Sequence, residues 1–292
     1  MLVDCFLFFH ELDLLEIRLD YLYEHVDKFI IVEACQSFSG KRKDFNFEKN
    51  IKRYEKYLNK IIYFKINDFH KSTYDFYKYI SKKNNHVTTI MNQHDHYNKN
   101  FIWWVLDSYH RECIHLALMK ECQVKDNVII SDLDEIPSLE IIEEVKIKGT
   151  KLHPIRCLQY EFKYFLNSFY SPNWAGSIIA PYSYLKNKSL NHLRMELYEL
   201  EHINKGGYHF TSLGGEKALI KKIENWGHQE FNLKLIKENL FNNLLYGRDV
   251  FYRFGHHKSR LIDLGSNEIF DERIRKILLN YEDLVLINNK KE

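Results

Sequence analysis

The 292-residue chain has few of the residues that usually mark a boundary between domains. It contains only 4 prolines and 11 glycines, and neither type is concentrated in a stretch typical of a linker. The sequence also has no low-complexity segment and no internal repeat. We therefore predict a single domain over residues 1–292, with the second half built onto the edge of the sheet formed by the first.

Neither sign of charge is in large excess. The chain has 42 Lys and Arg residues against 40 Asp and Glu residues, a formal net charge of +2. A dedicated nucleic-acid-binding protein usually has a strong basic excess, so no nucleic-acid partner is expected. The 5 cysteines are widely spaced and odd in number, which argues against both a disulfide framework and a zinc site. We interpret them as small buried apolar residues in a reducing compartment.

Long apolar runs are lacking as well. No segment approaches the roughly 18–20 consecutive apolar residues of a membrane span. Residues 1–9 are predicted to enter a strand directly, without the basic and apolar regions of a signal peptide. These features predict a cytoplasmic protein with no transmembrane segment, and they leave its oligomeric state open.

The pattern that is present alternates between strands and helices. Leucines at positions 12, 15, 19 and 22 have the spacing of a helix with one apolar face. This helix separates predicted strands at residues 2–9 and 29–32, and a helix at 47–58 precedes a strand at 60–66. Such alternation predicts a parallel α/β sheet. Polar residues 67–97 are expected to form a surface loop. Later helices are predicted at 101–122, 138–148, 216–226, 228–245 and 271–279, and later strands at 151–160 and 176–180.

The most informative stretch is Val128–Pro137, in which a short apolar run ends in Asp132, Asp134 and Glu135. The run is typical of a buried strand, and Pro137 suits the first turn of a following helix. Alternation along a strand would place Asp132 and Asp134 on one face. Two close carboxylates at the carboxyl end of a strand favour a hard divalent cation, in the place where open α/β sheets bind ligands. The alternative is that these acidic residues only cap the helix.

Several blocks of sequence, in order, resemble glycosyltransferase family 17, which includes the β-1,4-mannosyl-glycoprotein N-acetylglucosaminyltransferase that makes the bisecting sugar of N-glycans. Asp132-Leu133-Asp134-Glu135-Ile136-Pro137 is the most specific block. Arg111 precedes it at a similar distance to that in the family. The other matching blocks are Asp4–Phe6, Glu11–Leu19, Val26–Ala34, Phe38–Lys41, Gly207–Phe210, Leu213–Gly215, His228–Asn232 and Gly247–Asp249.

The resemblance implies a GT-A-like fold, a mixed and mostly parallel sheet flanked by helices, with a nucleotide-binding half (1–137) and an acceptor-side half (138–292). It also implies transfer, with inversion, of a sugar from a nucleotide-sugar donor to a glycan or other sugar acceptor. The expected donor is UDP-N-acetylglucosamine. The expected cofactor is Mn²⁺, or Mg²⁺, bound to the donor diphosphate.

On this basis Asp134 is expected to coordinate the metal directly, and Asp132 to bind the ribose or a metal-bound water. Glu135 is expected to support both. His209 is the preferred candidate for a further metal ligand. His228 is the second choice, and His256 and His257 are interpreted as loop residues.

The remaining site residues fall into three groups. An inverting transfer needs a carboxylate to deprotonate the acceptor hydroxyl, and the candidates are Glu230, Glu161 and Asp249, with Glu230 preferred. Arg111 and Arg248 are candidates for contacts with the diphosphate. The candidates for contacts with the uridine are Phe9, Glu11 and Glu33.

Two other functional classes remain open from the sequence. A metal-dependent phosphoesterase also uses clustered carboxylates, although it would need no sugar acceptor. A non-catalytic carbohydrate-binding module would bind a glycan, but it would not need an acidic metal cluster beside a nucleotide pocket.

Overall fold

A mixed sheet flanked by helices dominates the computed structural model, which describes residues 1–93, 97–253, 258–265 and 269–286. The strands in these ranges are β1 (Leu2–Leu7), β2 (Lys28–Ala34), β3 (Ile61–Ile66), β4 (Asn127–Asp132), β5 (Glu135–Pro137), β6 (Ile155–Lys163), β7 (Ser168–Pro181), β8 (Glu201–Ile203), β9 (Gly207–Thr211) and β10 (Arg260–Leu261).

The α-helices of the described residues vary from four to eleven residues in length. They are α1 (Leu12–Leu22), α2 (Asn46–Lys49), α3 (Thr73–Ile80), α4 (His86–Gln93), α5 (Ile102–Glu112), α6 (Ile114–Glu121), α7 (Leu139–Lys148), α8 (Tyr182–Leu185), α9 (Leu190–Met195), α10 (Gly215–Ile223), α11 (Lys234–Glu238), α12 (Leu240–Leu245) and α13 (Glu272–Leu278). Short 3-10 helices lie at Ile51–Tyr57, Gly149–Lys151, Gln229–Phe231 and Glu282–Leu284.

The strand order is β3-β2-β1-β4-β7-β6-β9-β5, with β8 beside β6 and β10 beside β7. The first four strands are parallel, whereas β7 runs antiparallel to both β4 and β6. The chain moves outward from β1 to β3 and returns to β4 on the other side of β1. The strand order therefore reverses between β1 and β4, and this is where a ligand crevice is expected in an α/β sheet.

Strands β4 and β5 are separated by only two residues in sequence, yet three strands lie between them along the sheet. The sheet therefore curls, so that β5 returns to the carboxyl end of β4. The sheet also continues unbroken from β4 to β7, across the predicted boundary at residue 137. The assignment of a nucleotide-binding half and an acceptor-side half stays a prediction.

Alternate residues of β1 pack on opposite faces of the sheet, as expected for a central strand. Phe6 belongs to a core that includes residues of α1, α7 and α13. Cys5 belongs to a core with residues of α5 and α6 on the other face. All five cysteines are free, which agrees with the prediction of no disulfide framework. Within the described ranges, no helix is both long enough and apolar enough to span a bilayer.

Four of the predicted segments differ from the structure. The helix predicted at 47–58 is the short α2 followed by the 3-10 helix Ile51–Tyr57. The helix predicted at 101–122 is two helices, because the chain leaves regular α-helix at Cys113 between α5 and α6. The helix predicted at 228–245 is a 3-10 turn followed by the short α11 and α12. Residues 67–97 were expected to be a loop but contain α3 and α4, whose apolar residues Phe76, Ile80, Val87 and Met91 are buried.

Candidate active site

The acidic segment forms a turn between two strands. Strand β4 ends at Asp132, Leu133 and Asp134 form the turn, and β5 begins at Glu135. Strand alternation is therefore the wrong explanation for bringing Asp132 and Asp134 together, because the extended backbone ends between them. We call residues 132–135 the acidic turn.

Pro137 does not begin the following helix as predicted. It ends β5, opposite Gly207 of β9, where its missing N–H suits an edge strand. Ser138 instead caps the helix, because its hydroxyl accepts from the backbone N–H of Ile141 at 3.5 Å. The predicted helix itself is confirmed as α7.

A buried arginine holds the acidic turn from inside the protein. The guanidinium of Arg18 donates to the backbone carbonyls of Asp132, Leu133 and Glu135 at 3.0, 3.1 and 2.9 Å. It also forms a bidentate ion pair with Asp4, with N–O distances of 2.6 and 2.8 Å. These contacts hold the backbone of the acidic turn in place, and that backbone sets the positions from which its carboxylates extend.

Asp132 lies between two arginines. Its Oδ1 is 2.6 Å from the guanidinium of Arg111, and its Oδ2 is 2.8 Å from that of Arg194. Burial alone would raise the pKa of Asp132. The guanidinium groups of the two arginines lower it by more than burial raises it, so the pKa of Asp132 lies below its ordinary value. Asp132 is therefore an ionised carboxylate with both oxygens engaged.

Asp134 has a different set of neighbours. Its Oδ2 is 3.5 Å from Nε2 of His209 and 3.8 Å from Nζ of Lys222. Burial raises the pKa of Asp134, yet His209 and Lys222 lower it well below the usual range. His209, the candidate for a further metal ligand, thus lies in close contact with Asp134, which precedes it by 75 residues.

The imidazole of His209 lies against Trp174, with ring centroids 4.2 Å apart and planes at 20°. The indole N–H of Trp174 donates to Oε1 of Glu135 at 2.8 Å. The other oxygen of Glu135 accepts from the backbone N–H of Asp132 at 3.0 Å. Glu135 thereby fixes both the turn and the ring that covers His209, which makes it a supporting residue of the site.

The side chains around Asp134 suit a hard divalent cation in part. Asp134 and His209 offer a carboxylate and an imidazole with 3.5 Å between the facing atoms, and Nδ1 of His209 is buried without a hydrogen-bond partner. Within the described ranges, no three His, Cys, Asp or Glu side chains converge into a ligand group. Such ions often use one or two protein ligands together with substrate phosphates. Asp134 and His209 fit the role of the ligands that the protein supplies.

The three candidate bases lie in different environments. Glu161 is the register partner of His209 on adjacent strands, so both side chains point to one face of the sheet. Its carboxylate lies 3.5 Å from Lys163. Asp249 is buried and accepts hydrogen bonds from Tyr164 and Arg253.

Glu230, the base preferred from sequence, is half-exposed in a 3-10 turn. Its carboxylate pairs with Nδ1 of His228 at 2.7 Å. The ring of His228 in turn packs against Trp104, with centroids 4.6 Å apart. His228 is therefore paired with Glu230 and has no described contact with Asp134.

Of the uridine candidates, Phe9 and Glu11 lie just beyond β1, and Glu33 lies near the end of β2. Glu33 is buried and accepts hydrogen bonds from the backbone N–H groups of Asn46 and Phe47, from Lys43 and from Tyr63. These contacts make Glu33 the cap of α2. Glu11 is half-exposed and accepts from the backbone N–H of His10 at 2.9 Å.

Phe9 and Arg248 complete the predicted set. The backbone carbonyl of Phe9 accepts from the side-chain amide of Asn46 at 2.5 Å, and its ring contacts that of His10. Arg248 is exposed and lies over the ring of Tyr246. It makes no described contact with the acidic turn, unlike Arg111. His256 and His257 lie outside the described residues.

Four residues of the site, Arg18, Arg194, Trp174 and Lys222, were not identified from the sequence. Arg18 had a detectable signal, because it follows Leu15 by three positions and so lies on the apolar face of α1. Arg194 and Trp174 had none, since both reach the acidic turn only through the tertiary fold.

A separate cleft of about 960 Å³ lies on the side of the sheet that Tyr208 faces. Residues of α13 and Tyr160 line it, and none of the predicted site residues does. This cleft is therefore separate from the candidate active site.

Comparison with known proteins gives a partial match to one family. Residues 1–102 match the model described as glycosyltransferase family 17, which supports the resemblance seen in the sequence. No curated protein matches the chain. Among solved structures, the crystal structure of residues 1–349 of S. aureus TarS is similar at 11% identity with a TM-score of 0.40, covering 87% of this chain and 72% of that one.

Proposed function

We propose that the protein is a GT-A-like glycosyltransferase that moves N-acetylglucosamine, with inversion, from its UDP-sugar to a glycan acceptor. The observation that carries the proposal is the position of the acidic turn. It lies at the carboxyl end of β4, next to β1, where the strand order of the sheet reverses. Nucleotides bind at such switch points in α/β sheets. The similarity of residues 1–102 to family 17 supports the same class of reaction.

Donor binding would use the charges around the turn. Asp134 and His209 would hold a divalent cation, Mn²⁺ or Mg²⁺, which would offset the negative charge that develops on the departing diphosphate. Lys222, 3.8 Å from Asp134, supplies a further positive charge on the same side. Arg111 keeps Asp132 ionised and in place.

Deprotonation of the acceptor is best assigned to Glu161. Its neighbour across the strands is His209, so it lies on the face of the sheet where the proposed metal site lies. Glu230 is more exposed and already paired with His228, and Asp249 is held by Tyr164 and Arg253. An acceptor hydroxyl bound between Glu161 and the donor sugar would lose its proton to the Glu161 carboxylate as the new glycosidic bond forms.

The test is a screen of UDP-sugars for Mn²⁺-dependent release of UDP, first without an acceptor and then with candidate glycans. We expect UDP-N-acetylglucosamine to be the preferred donor. The Asp134→Ala protein should fold but lose turnover by about 10²-fold or more, as expected when charge stabilisation at the leaving group is removed. Lys234→Ala is a matched surface control, because Lys234 is largely exposed and its ion pair is with Glu238 in the same short helix.

Two results would contradict the proposal. One is turnover in Asp134→Ala equal to that of the unmodified protein. The other is hydrolysis of simple phosphodiesters at a rate that exceeds that of every UDP-sugar, which would favour the phosphoesterase class.

A further inference from the structure

Arg194 places its positive charge among the carboxylates of the acidic turn. One terminal nitrogen of its guanidinium is 2.8 Å from Oδ2 of Asp132, and the other is 2.8 Å from Oε1 of Glu135. Its charge also acts on Asp134, where it helps to lower the pKa of that carboxyl. Arg194 therefore neutralises the same group of oxygens that would attract a divalent cation.

A cation held by both aspartates would compete with this arginine. Oδ2 of Asp132 cannot coordinate a metal closely while it accepts a charged hydrogen bond at 2.8 Å. A guanidinium and a divalent ion at neighbouring carboxylate oxygens would also repel each other strongly, because the site is largely buried and screening is weak. A metal held by Asp134 and His209 that also coordinates Asp132 thus requires one of the two arginines to withdraw, because they occupy both oxygens of Asp132.

Arg111 is less exposed than Arg194, although each guanidinium has two carboxylate partners. The side chain of Arg111 is only 6% exposed and lies on the eleven-residue helix α5. Arg194 is 23% exposed and lies one residue before the end of the six-residue helix α9. The residues that follow it, Met195, Leu197 and Tyr198, are exposed. Arg194 can move toward solvent without opening the core.

We propose that Arg194 is an internal counter-ion that occupies the acidic turn when no metal is bound and leaves it when a divalent cation binds. The inference rests on the proposed function, because it takes the acidic turn to be a metal site.

Glu112 makes the exchange possible by fixing the other end of α9. Its buried carboxylate accepts from the hydroxyl of Ser189 and from the backbone N–H groups of Leu190 and Asn191. The carbonyls of Leu193 and Glu196 accept from the buried guanidinium of Arg156, so the backbone of α9 stays attached and only the side chain of Arg194 moves.

Metal binding without nucleotide separates this exchange from catalysis. Free Mn²⁺ is measured by electron paramagnetic resonance in titrations of the unmodified protein and of Arg194→Met, with no UDP-sugar present. Removing the competing charge should tighten Mn²⁺ binding by about tenfold, the scale on which neighbouring groups alter metal affinity. In the Arg194→Met/Asp134→Ala double variant the gain should disappear, because the metal loses a ligand.

Lys221→Met is the matched control. It removes one positive charge from an exposed position on α10, next to Lys222, without removing a described contact to the turn. Its Mn²⁺ affinity should stay close to that of the unmodified protein. Arg194→Lys retains the charge but is too short to span both carboxylates, so a smaller gain is expected. It serves as the test variant if near-ultraviolet circular dichroism shows that Arg194→Met is misfolded.

Equal or weaker Mn²⁺ binding in the tested Arg194 variant would overturn the proposal, and so would an equal gain in Lys221→Met. These results are distinct from a failure of the proposed function. Metal-dependent turnover of a UDP-sugar without tighter binding in the variant would reject the exchange alone. Tighter Mn²⁺ binding without turnover of any UDP-sugar would leave the exchange standing and reject the transferase.

Discussion

Arg18 and Asp4 form a completely buried, bidentate ion pair behind the acidic turn. The same guanidinium supports three backbone carbonyls of the turn, so one side chain connects β1, α1 and the segment between β4 and β5. A buried ion pair is costly to form, but removing one partner leaves an uncompensated buried charge. The pair should therefore matter for stability as well as for the shape of the site.

Replacing Arg18 should strongly destabilise the protein. We expect Arg18→Met to lower the free energy of unfolding by about 3–5 kcal/mol, because Asp4 and the three carbonyls lose their donors. Arg53→Met is the matched control, since Arg53 pairs with Asp13 and Glu16 at the surface and should contribute below about 1 kcal/mol. Urea unfolding of both variants measures the difference. Equal losses in the two proteins would show that the buried pair has no special role.

Replacing Glu112 should loosen the segment that contains Arg194. Glu112→Ala removes the acceptor for three donors at the start of α9. We expect a loss of about 1–3 kcal/mol in stability and faster cleavage by trypsin after Arg194. The control is Glu196→Ala in the same segment, where the side chain is exposed. Trypsin cleavage as slow as in Glu196→Ala would mean that Glu112 does not anchor the helix.

Replacing Glu161 should affect catalysis more than donor binding. As the proposed base, Glu161→Gln should lower kcat by about 10²–10⁴-fold, while the affinity for UDP changes little. The acid limb of the pH profile of kcat should also disappear. Glu230→Gln provides the contrast, because its carboxylate is half-exposed and paired with His228. A larger loss of kcat in Glu230→Gln would return the role of base to Glu230.

Buried histidines should make the fold sensitive to acid. Burial, with smaller effects of Lys43 and His70, lowers the pKa of His110 to about 3, against an ordinary value of about 6.5. Between these values the unfolded chain binds the proton and the folded protein does not. The free energy of unfolding that depends on neutral His110 is therefore at its maximum above about pH 6.5. It falls as the pH is lowered toward 3, by at most about 1.4 kcal/mol per pH unit.

The measurement is urea unfolding of the unmodified protein and of His110→Met at several values between pH 7 and pH 4.5. The variant, which cannot be protonated at this position, should show a shallower loss of stability on acidification. Burial lowers the pKa of His70 and His115 as well, so a slope should remain. Identical slopes in the two proteins would contradict the assignment.

The sequence was sufficient to predict the alternating first part of the sheet and the acidic strand end. Both depend on local patterns, namely apolar runs, helical spacing and the cluster of carboxylates. The helix breaks at Cys113 and within residues 228–245 were not predicted, because apolar periodicity continues across them. The same limit explains Pro137, whose position in β5 depends on Gly207, 70 residues later.

The acidic residues and His209 were proposed as site residues from the sequence. The pairing of Arg111 and Arg194 with these carboxylates was not predicted. Whether Asp132 faces a metal or an arginine depends on where α5 and α9 place Arg111 and Arg194, and neither helix contains a local signal for that. Trp174, which contacts both His209 and Glu135, is a further residue without a local signal. Contacts between distant segments of this kind cannot be read from spacing along one segment.

The curled path of the sheet has a consequence for biosynthesis. Strand β5 follows β4 directly in the chain, but its hydrogen-bonding partner β9 ends at Thr211. As the polypeptide emerges from a ribosome, Asp134 is made long before His209 and Lys222, its charged neighbours. A nascent chain that stops soon after Pro137 would therefore contain the carboxylates of the acidic turn without the partners that shape them, and the site can be completed only after Lys222 has been made.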